Sequence, residues 1–335
     1  MVNAMMKKIK TCFHALTLLV PLLLGSSPST SWAQANYPNR PITWVVPYAA
    51  GGATDVLIRI SARKLADELG QPVVVNNKPG GGTMIGAQFV ARAPADGYTI
   101  LAAVVANMAT APLLSATPAG YDPLKDFDAI SLITSNPLLL VASKSSQISK
   151  LSDVLRMAKE KPGTLAIASY GQGTPSHLGI ELLKGAAGID VIHIPYKGSA
   201  PALIDLLGGR VPLMMDILPS HIKTLETGDV VGLAIGQKLR SPLAPKIPTF
   251  AEEGVAGLDA TTWVGVVAPA GTPKEAIDRL NQALRRALSD SQVVESLTLQ
   301  GMPAQHSTAQ EFSLIIRSGY AKWAGIIKSA NIKPE

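Results

Sequence analysis

Two glycine-rich turns carry most of the chemical potential in this sequence. The first runs Pro47-Tyr48-Ala49-Ala50-Gly51-Gly52-Ala53-Thr54-Asp55, and the second Ser169-Tyr170-Gly171-Gln172-Gly173-Thr174-Pro175-Ser176-His177. Each lies between an apolar strand pattern and a helical pattern. Glycine lets the chain turn sharply and brings backbone N–H groups close to a ligand. The helix that follows adds free N–H donors and the positive end of its dipole. Such a turn binds an anion without a charged side chain. Two of them facing across a cleft would grip one carboxylate from both sides. Either turn alone is also the ordinary connection of an α/β protein; the pair, at equivalent places in two blocks, favours the anion site.

Catalytic constellations are thin. A third cluster, Pro79-Gly80-Gly81-Gly82-Thr83, lacks the Gly-Lys-Ser/Thr ending of a phosphate loop, and no G-x-G-x-x-G opens a dinucleotide site. It reads as a turn and helix entry. His177, His193, His221 and His306 form no H-E-x-x-H or other close ligand pair, so neither zinc nor another cofactor is expected. There is no G-x-S-x-G elbow. Ser176 and His177 adjoin on a helix and do not face each other, which makes them a poor nucleophile–base pair. Asp55 falls in the first turn of its helix, where it either serves the site or stabilises the helix end. Asp216, after an apolar strand, is either a polar group in a cleft or a turn residue.

Composition narrows the class. The 335 residues are 47% hydrophobic and 16% charged, with one Cys, which excludes disordered, coiled-coil and disulfide-scaffold chains. Lys7, Lys8 and Lys10 precede an apolar run from Phe13 through Leu24, followed by Ala33-Gln34-Ala35. This is the three-part pattern of a secretory signal peptide, residues 1–35. The run is too short to span a membrane, and Pro21 interrupts it. Cys12 lies before the run, the wrong place for a lipid-attachment cysteine. Cleavage after Ala35 takes three Lys and no acid, so the formal charge of +6 falls by three. A mild positive field favours small anions. No basic cluster with interleaved aromatics points to nucleic acid.

The elements that must position the turns follow from hydrophobic period. Ile42–Pro47, Val73–Val75 and Thr99–Val105 read as strands, with helices over Thr54–Leu69 and Met84–Ala93. The pattern restarts after Asp126, with strands at Ile130–Ile133, Leu138–Ala142, Leu165–Ala168, Val191–Ile194, Val211–Met214 and Val231–Ala234. Helices are expected at Leu151–Glu160, Ser176–Ala187, Ala200–Leu207 and Ser220–Glu226. A strand at Val264–Ala268 leads to a helical tail with capping boxes at Thr272–Glu275 and Thr308–Glu311. Alternation of this kind predicts an α/β fold with largely parallel sheets. The tail has no block of its own and is expected to return to the first. That gives lobe 1 at 36–136 and 262–335 and lobe 2 at 137–261. Two crossover connections join the lobes, and the ligand cleft lies between them.

An ordered set of motifs resembles the extracytoplasmic solute-binding proteins of tripartite tricarboxylate transporters, the Bug family. It comprises Tyr37-Pro38-Asn39-Arg40-Pro41-Ile42 with Pro47 to Asp55, and Asn76-Lys78-Pro79-Gly80-Gly81-Gly82 with Gly86. Pro94-Ala95-Asp96-Gly97-Tyr98-Thr99, Gly171 to Leu178 and Ile194-Pro195-Tyr196-Lys197-Gly198 continue it. Gly208-Gly209 and Pro269-Ala270-Gly271-Thr272-Pro273 complete it. The resemblance covers the chain beyond the leader. It implies a two-lobed periplasmic binding protein fold of type II-like topology that closes on a small organic carboxylate. The acid would be a dicarboxylate, tricarboxylate, acidic amino acid or aromatic acid. It also implies periplasmic location, no catalytic activity, permease subunits as partners, and a monomer as the default state.

The resemblance further implies a ligand-binding set. In the first turn it comprises Tyr48, Ala50, Gly51, Gly52 and Asp55, the aspartate positioning water on the carboxylate. In the second it comprises Gly171, Gly173, Thr174, Ser176 and His177. Asn107 and Asp216 match polar positions near the ligand. The family often has Pro or Phe where this chain has Tyr48-Ala49, and its second turn is often richer in Gly and Ser than Gln172 and Pro175 allow; these departures bear on which acid is bound. Two other readings are a ligand sensor feeding a signalling system and an exported serine hydrolase using Ser176.

Overall fold

The computed structural model describes residues 37–332. The leader, its Ala33-Gln34-Ala35 site and Cys12 lie outside the described residues. Strands form where β-branched and aliphatic runs suit a pleated, buried surface. The chain begins β1 (Ile42–Val46), α1 (Ala53–Leu69), β2 (Val73–Asn77), α2 (Met84–Ala91) and β3 (Thr99–Val104). A π-helical turn at Ala106–Thr110 then leads into the short α3 (Ala111–Leu114). Next come β4 (Phe127–Ser143), α4 (Leu151–Glu160), β5 (Ala166–Ser169), α5 (Pro175–Ala187), β6 (Ile192–Pro195) and α6 (Ser199–Leu207). The remainder is β7 (Leu213–Ile217), α7 (Ile222–Glu226), β8 (Val230–Ile235), β9 (Thr261–Pro269), α8 (Lys274–Ser289), α9 (Ser291–Leu299) and α10 (Ala309–Ser329).

The strands run in the order β2-β1-β3-β9-β4-β7-β5-β6, with β8 also on β4. The expectation of largely parallel sheets is corrected to a mixed sheet. β1 pairs parallel with β2 and β3, and β5 with β6 and β7, but β3–β9, β4–β9, β4–β7 and β4–β8 are antiparallel. The reason is the return of the tail: β9 enters between β3 and β4 and runs against both. The two strands expected at Ile130–Ile133 and Leu138–Ala142 are one 17-residue strand, β4. Pro137 does not break it, because its fixed φ suits an extended chain and it removes only one ladder donor. Phe127 to Pro137 pair with β9, and Leu138 onward pairs with β7 and β8. The chain therefore passes between the two halves of the sheet twice, at Pro137–Leu138 and again at Ala260–Thr261.

Helices cover both faces of each half. In the first half Ile58, Leu65, Leu280 and Leu284 of α1 and α8 pack on Ile42, Trp44 and Ile100. The opposite face is closed by Phe312, Ile316 and Trp323 of α10, joined there by Leu178 of α5. In the second half α4 and α5 cover one face and α6 the other. The Thr308–Glu311 box forms reciprocally, each backbone N–H donating to the other residue's side chain. The box expected at Thr272 does not form. Thr272 instead donates its hydroxyl to the Pro269 carbonyl at 2.7 Å, closing the turn after β9, and Pro273 becomes the N-cap of α8.

β9 and α10 approach closely at Gly265. Gly265 has no Cβ, and one placed there would stand 2.1 Å from Cζ of Phe312, a fully buried ring. Gly265→Ala is therefore expected to destabilise the fold by about 1–3 kcal/mol through overpacking. Urea unfolding of wild type and variant, read as a shift in midpoint at constant slope, checks it.

Candidate functional site

Both glycine turns are closed by a side chain four residues further on. In the first, Gly51 has φ +87°, a left-handed conformation that favours glycine, and its N–H donates to Asp55 Oδ2 at 2.8 Å. Arg59 Nε donates to the same oxygen at 2.9 Å, and Asn77 Nδ2 to Oδ1 at 2.9 Å. The Asn77 amide also holds the Tyr48 carbonyl at 3.0 Å. Burial alone would raise the Asp55 pKa, but the hydrogen bonds from Arg59, Gly51 and Asn77 outweigh it and hold the group down at about 2. In the second turn Gly173, at φ +67°, donates its N–H to His177 Nδ1 at 3.1 Å. His177 stacks on His193 with ring centroids 4.0 Å apart, and His193 Nε2 lies 2.6 Å from Ser169 Oγ. Burial, then the neighbouring His177 and Lys184, push His193 down to about 4. Thr174 caps α5, its hydroxyl accepting from the His177 N–H and donating to the Gly171 carbonyl.

These clamps revise how the glycines act. The amides of Gly51 and Gly173 are held by Asp55 and His177, so the donors that remain at the first turn are the first-turn amides of α1. At the second, Pro175 has no N–H, the His177 N–H goes to Thr174 Oγ1 and the Ser176 N–H faces the Tyr170 hydroxyl, which leaves that hydroxyl as the donor toward the cavity. Ser176 donates its hydroxyl to the Met215 carbonyl at 2.5 Å and ties α5 to β7. Asn107 is fully buried. It accepts from the Val104 N–H at 2.8 Å and donates to the Ala102 carbonyl at 3.2 Å, which folds the π-turn back onto the end of β3.

The two turns open on one cavity of about 640 Å³. Tyr48, Ala53, Thr54, Gly82, Thr83, Val105, Ala106 and Leu114 line it from the first half, and Tyr170, Gln172, Gly173, Thr174, Ser199 and Asp216 from the second. Asn136 of β4 and Thr262 and Trp263 of β9 complete the wall where the chain passes between the halves. Of the expected ligand-binding set, Tyr48, Gly173, Thr174 and Asp216 are on this wall. Ala50, Gly51 and Gly52 lie exposed on the first turn, and Gly171 is half-buried beside the second. Asp55, Asn107, Ser176 and His177 are buried behind the wall they support.

Thr83, Tyr170, Ser199, Asn136, Thr262 and Trp263 were not singled out as site residues in the sequence. Thr83 closes the third Gly cluster at φ +85°, a strained conformation for a β-branched residue, and its Oγ1 is buried without a hydrogen bond. A threonine after three glycines was the available signal. Tyr170 and Gln172 lay inside a quoted motif. Asn136, Thr262 and Trp263 meet only through strand pairing distant in sequence.

Among the described residues, no Lys, Arg or His lines the cavity. Burial pushes Tyr48 up to about 12 and raises Tyr170 well above the ordinary phenol range, with the charges of Asp216 and Tyr48 adding to the latter. Both phenols are neutral donors at physiological pH. Among the described residues, no three His, Cys, Asp or Glu side chains come together as a metal-ligand group, and no helix is long and apolar enough to cross a membrane. The arrangement suits a small anion held by helix N-termini and neutral donors.

Asp55 makes the clamp testable by pH. Its folded pKa lies below the ordinary 3.8, so its contribution to stability is present above about 3.8 and is lost as the pH falls toward 2. Asp55→Asn is expected to cost about 1–3 kcal/mol near neutral pH. The gap from wild type should close as the pH drops through that window, followed by denaturant unfolding at each pH.

Residues 57–332 match the model of the tripartite tricarboxylate transporter family receptor. The chain is 37% identical over 301 residues to Protein BugT of Bordetella pertussis, spanning 89% of this chain and 91% of that protein. It is similar to R. palustris Rpa4515, solved with adipate, at TM-score 0.77 and 36% identity over 89% of this chain and 100% of that one. MatC from Rhodopseudomonas palustris, solved with bound malate, gives TM-score 0.73 and 32% identity over 87% and 100%. The polypeptide with these two clamped turns thus belongs to the tripartite tricarboxylate transporter receptor family, the TctC-type periplasmic solute-binding proteins.

Proposed function

We propose that this protein, exported through a cleaved leader at residues 1–35, captures a small organic carboxylate in the periplasm. It then delivers the acid, chemically unchanged, to the permease subunits of a tripartite tricarboxylate-type transporter. The observation that carries the reading is the cavity wall: two helix N-termini meet there, with neutral donors around them and, among the described residues, no Lys, Arg or His. An anion held so loses no side-chain cation when it is released, which suits a carrier. That related proteins were solved with adipate and with malate supports a carboxylate as the ligand class.

In this reading the first-turn amides of α1 and the Tyr170 hydroxyl at the start of α5 hold the carboxylate, with Tyr48, Gly173, Thr174 and Asp216 around it. Asp55, Asn107, Ser176 and His177 keep the wall in shape. Lobe 1 (36–136 and 262–335) and lobe 2 (137–261) close about the two chain crossings, because one carboxylate must touch both turns. Saturation with a bound acid should lower the radius of gyration in small-angle scattering. An unchanged radius would leave the lobes without a closing role.

The backbone cradle is tested by substitution. Gly52 has φ −76°, and a Cβ there would meet only the Ala49 carbonyl at 3.7 Å, so Val is compatible with the fold. Its bulk stands before the first-turn amides. Gly52→Val is expected to weaken acid binding by about tenfold or more, the scale of one lost charge-assisted hydrogen bond, with unchanged circular dichroism. Lys197 is exposed and off the wall, and Lys197→Ala should change affinity by less than about twofold. Isothermal titration decides: loss in Lys197→Ala with retention in Gly52→Val would mean that a side-chain cation holds the anion.

A further inference from the structure

The cavity has room for more than a carboxylate group. At about 640 Å³ it falls in the range that encloses drug-sized ligands, larger than malate or adipate. Its described wall is predominantly apolar. Met84 at the start of α2, Ala111 and Leu114 of α3 and Ile217 at the end of β7 line it. Each is only half-buried and so keeps apolar surface that a ligand can cover. The segment from Ala106 to Leu114 is fixed at its root. The Asn107 side chain ties it to β3, and the Tyr121 hydroxyl donates to the Asn107 carbonyl at 2.6 Å. At its far end Leu114 reaches the other half of the molecule: a Cβ placed on Gly173 would stand 2.8 Å from Leu114 Cδ1. Ala111 Cβ lies 3.5 Å from where a Cβ on Gly82 would stand. The short α3 thus bridges the third glycine cluster and the second glycine turn, and it does so with alkyl groups.

We propose that the acid held here is a monocarboxylic acid with a bulky apolar body, aryl or long alkyl, which lies against Met84, Ala111 and Leu114. The inference rests on the carboxylate reading above and selects within it. Such a body displaces water from alkyl surface, and the gain grows with the area covered. A second carboxylate in the same place would give up its hydration against carbon, which is costly. Leu114, standing where the two halves meet, is the residue that reads the size of the body.

The test is isothermal titration of the purified protein with two graded series. One runs from butanoate through hexanoate to octanoate, and the other compares benzoate with para-isopropylbenzoate. Adipate, with which a related protein was solved, is the diacid matched to hexanoate. Suberate is matched to octanoate, and terephthalate to para-isopropylbenzoate. For wild type, affinity is expected to rise about threefold to fourfold per added methylene, the scale of burying one CH₂. Each monoacid should bind about tenfold or more tightly than its matched diacid. In Leu114→Ala the affinity for octanoate and para-isopropylbenzoate should fall about tenfold, while butanoate changes by less than about twofold. A rise confined to one series supports the proposal and identifies the body as aryl or alkyl. Affinity that is flat along both series, or diacids bound as tightly as their monoacids, overturns the proposal while leaving the carboxylate reading standing; this arm needs no variant. Equal losses for butanoate and octanoate in Leu114→Ala, or no loss for either, overturn the assignment of Leu114. Failure of every acid overturns the carboxylate reading and the inference together.

Discussion

The two i+4 clamps, Asp55 on Gly51 and His177 on Gly173, decide where the first turns of α1 and α5 stand. Each clamp turns a glycine N–H inward; at the first turn this leaves the α1 amides as the donors that face outward, and at the second the Tyr170 hydroxyl. The price is an acid and an imidazole buried close to a site for anions. Asp55 is compensated locally by Arg59, Asn77 and the turn amide, while His177 accepts at Nδ1 and stacks on His193. With the acid compensated behind the wall, the described residues of the cavity wall include one acidic side chain, Asp216, and no Lys or Arg.

The rest of the molecule holds two such turns opposite each other. β4 does so by changing partners along its length, from β9 to β7 and β8. The other edge of its first part is covered by the segment before α10, where the Gln305 N–H donates to the Ile133 carbonyl and Thr134 donates to the Pro303 carbonyl. β9 and α10 then meet through Gly265 and Phe312 with no room for a side chain between them. Trp263 stands against Phe312 at 88° and also lines the cavity, so the packing of the tail reaches the wall of the site.

Much of the local structure was legible from residue order. α4 appears at the expected residues because Leu151, Val154 and Ala158 repeat at helical spacing and Lys161-Pro162-Gly163 ends them. The box at Thr308 formed because its partner is three residues away. Thr272 failed as a box because the turn after β9 takes its hydroxyl first. The two strands expected at Ile130–Ile133 and Leu138–Ala142 are one for a similar reason: what joins them is the pairing of Phe127 to Pro137 with β9, more than a hundred residues further on.

By itself, the sequence determined the α/β alternation, the two glycine turns followed by helices, and the acid and imidazole at the fourth position after their glycines. All of these rest on contacts within a few residues, where spacing alone sets geometry. Only the tertiary structure decided which polar groups face the cavity. Asp55, Asn107, Ser176 and His177 look like site residues in the sequence and are turned to the backbone behind it. Thr83, Asn136, Thr262 and Trp263 look unremarkable and form its wall. That division follows from strand pairing between distant segments, as where Thr262 donates its hydroxyl to the carbonyl of Asn136, 126 residues earlier. Side-chain direction at such a place is set by register, and register is set by the whole sheet.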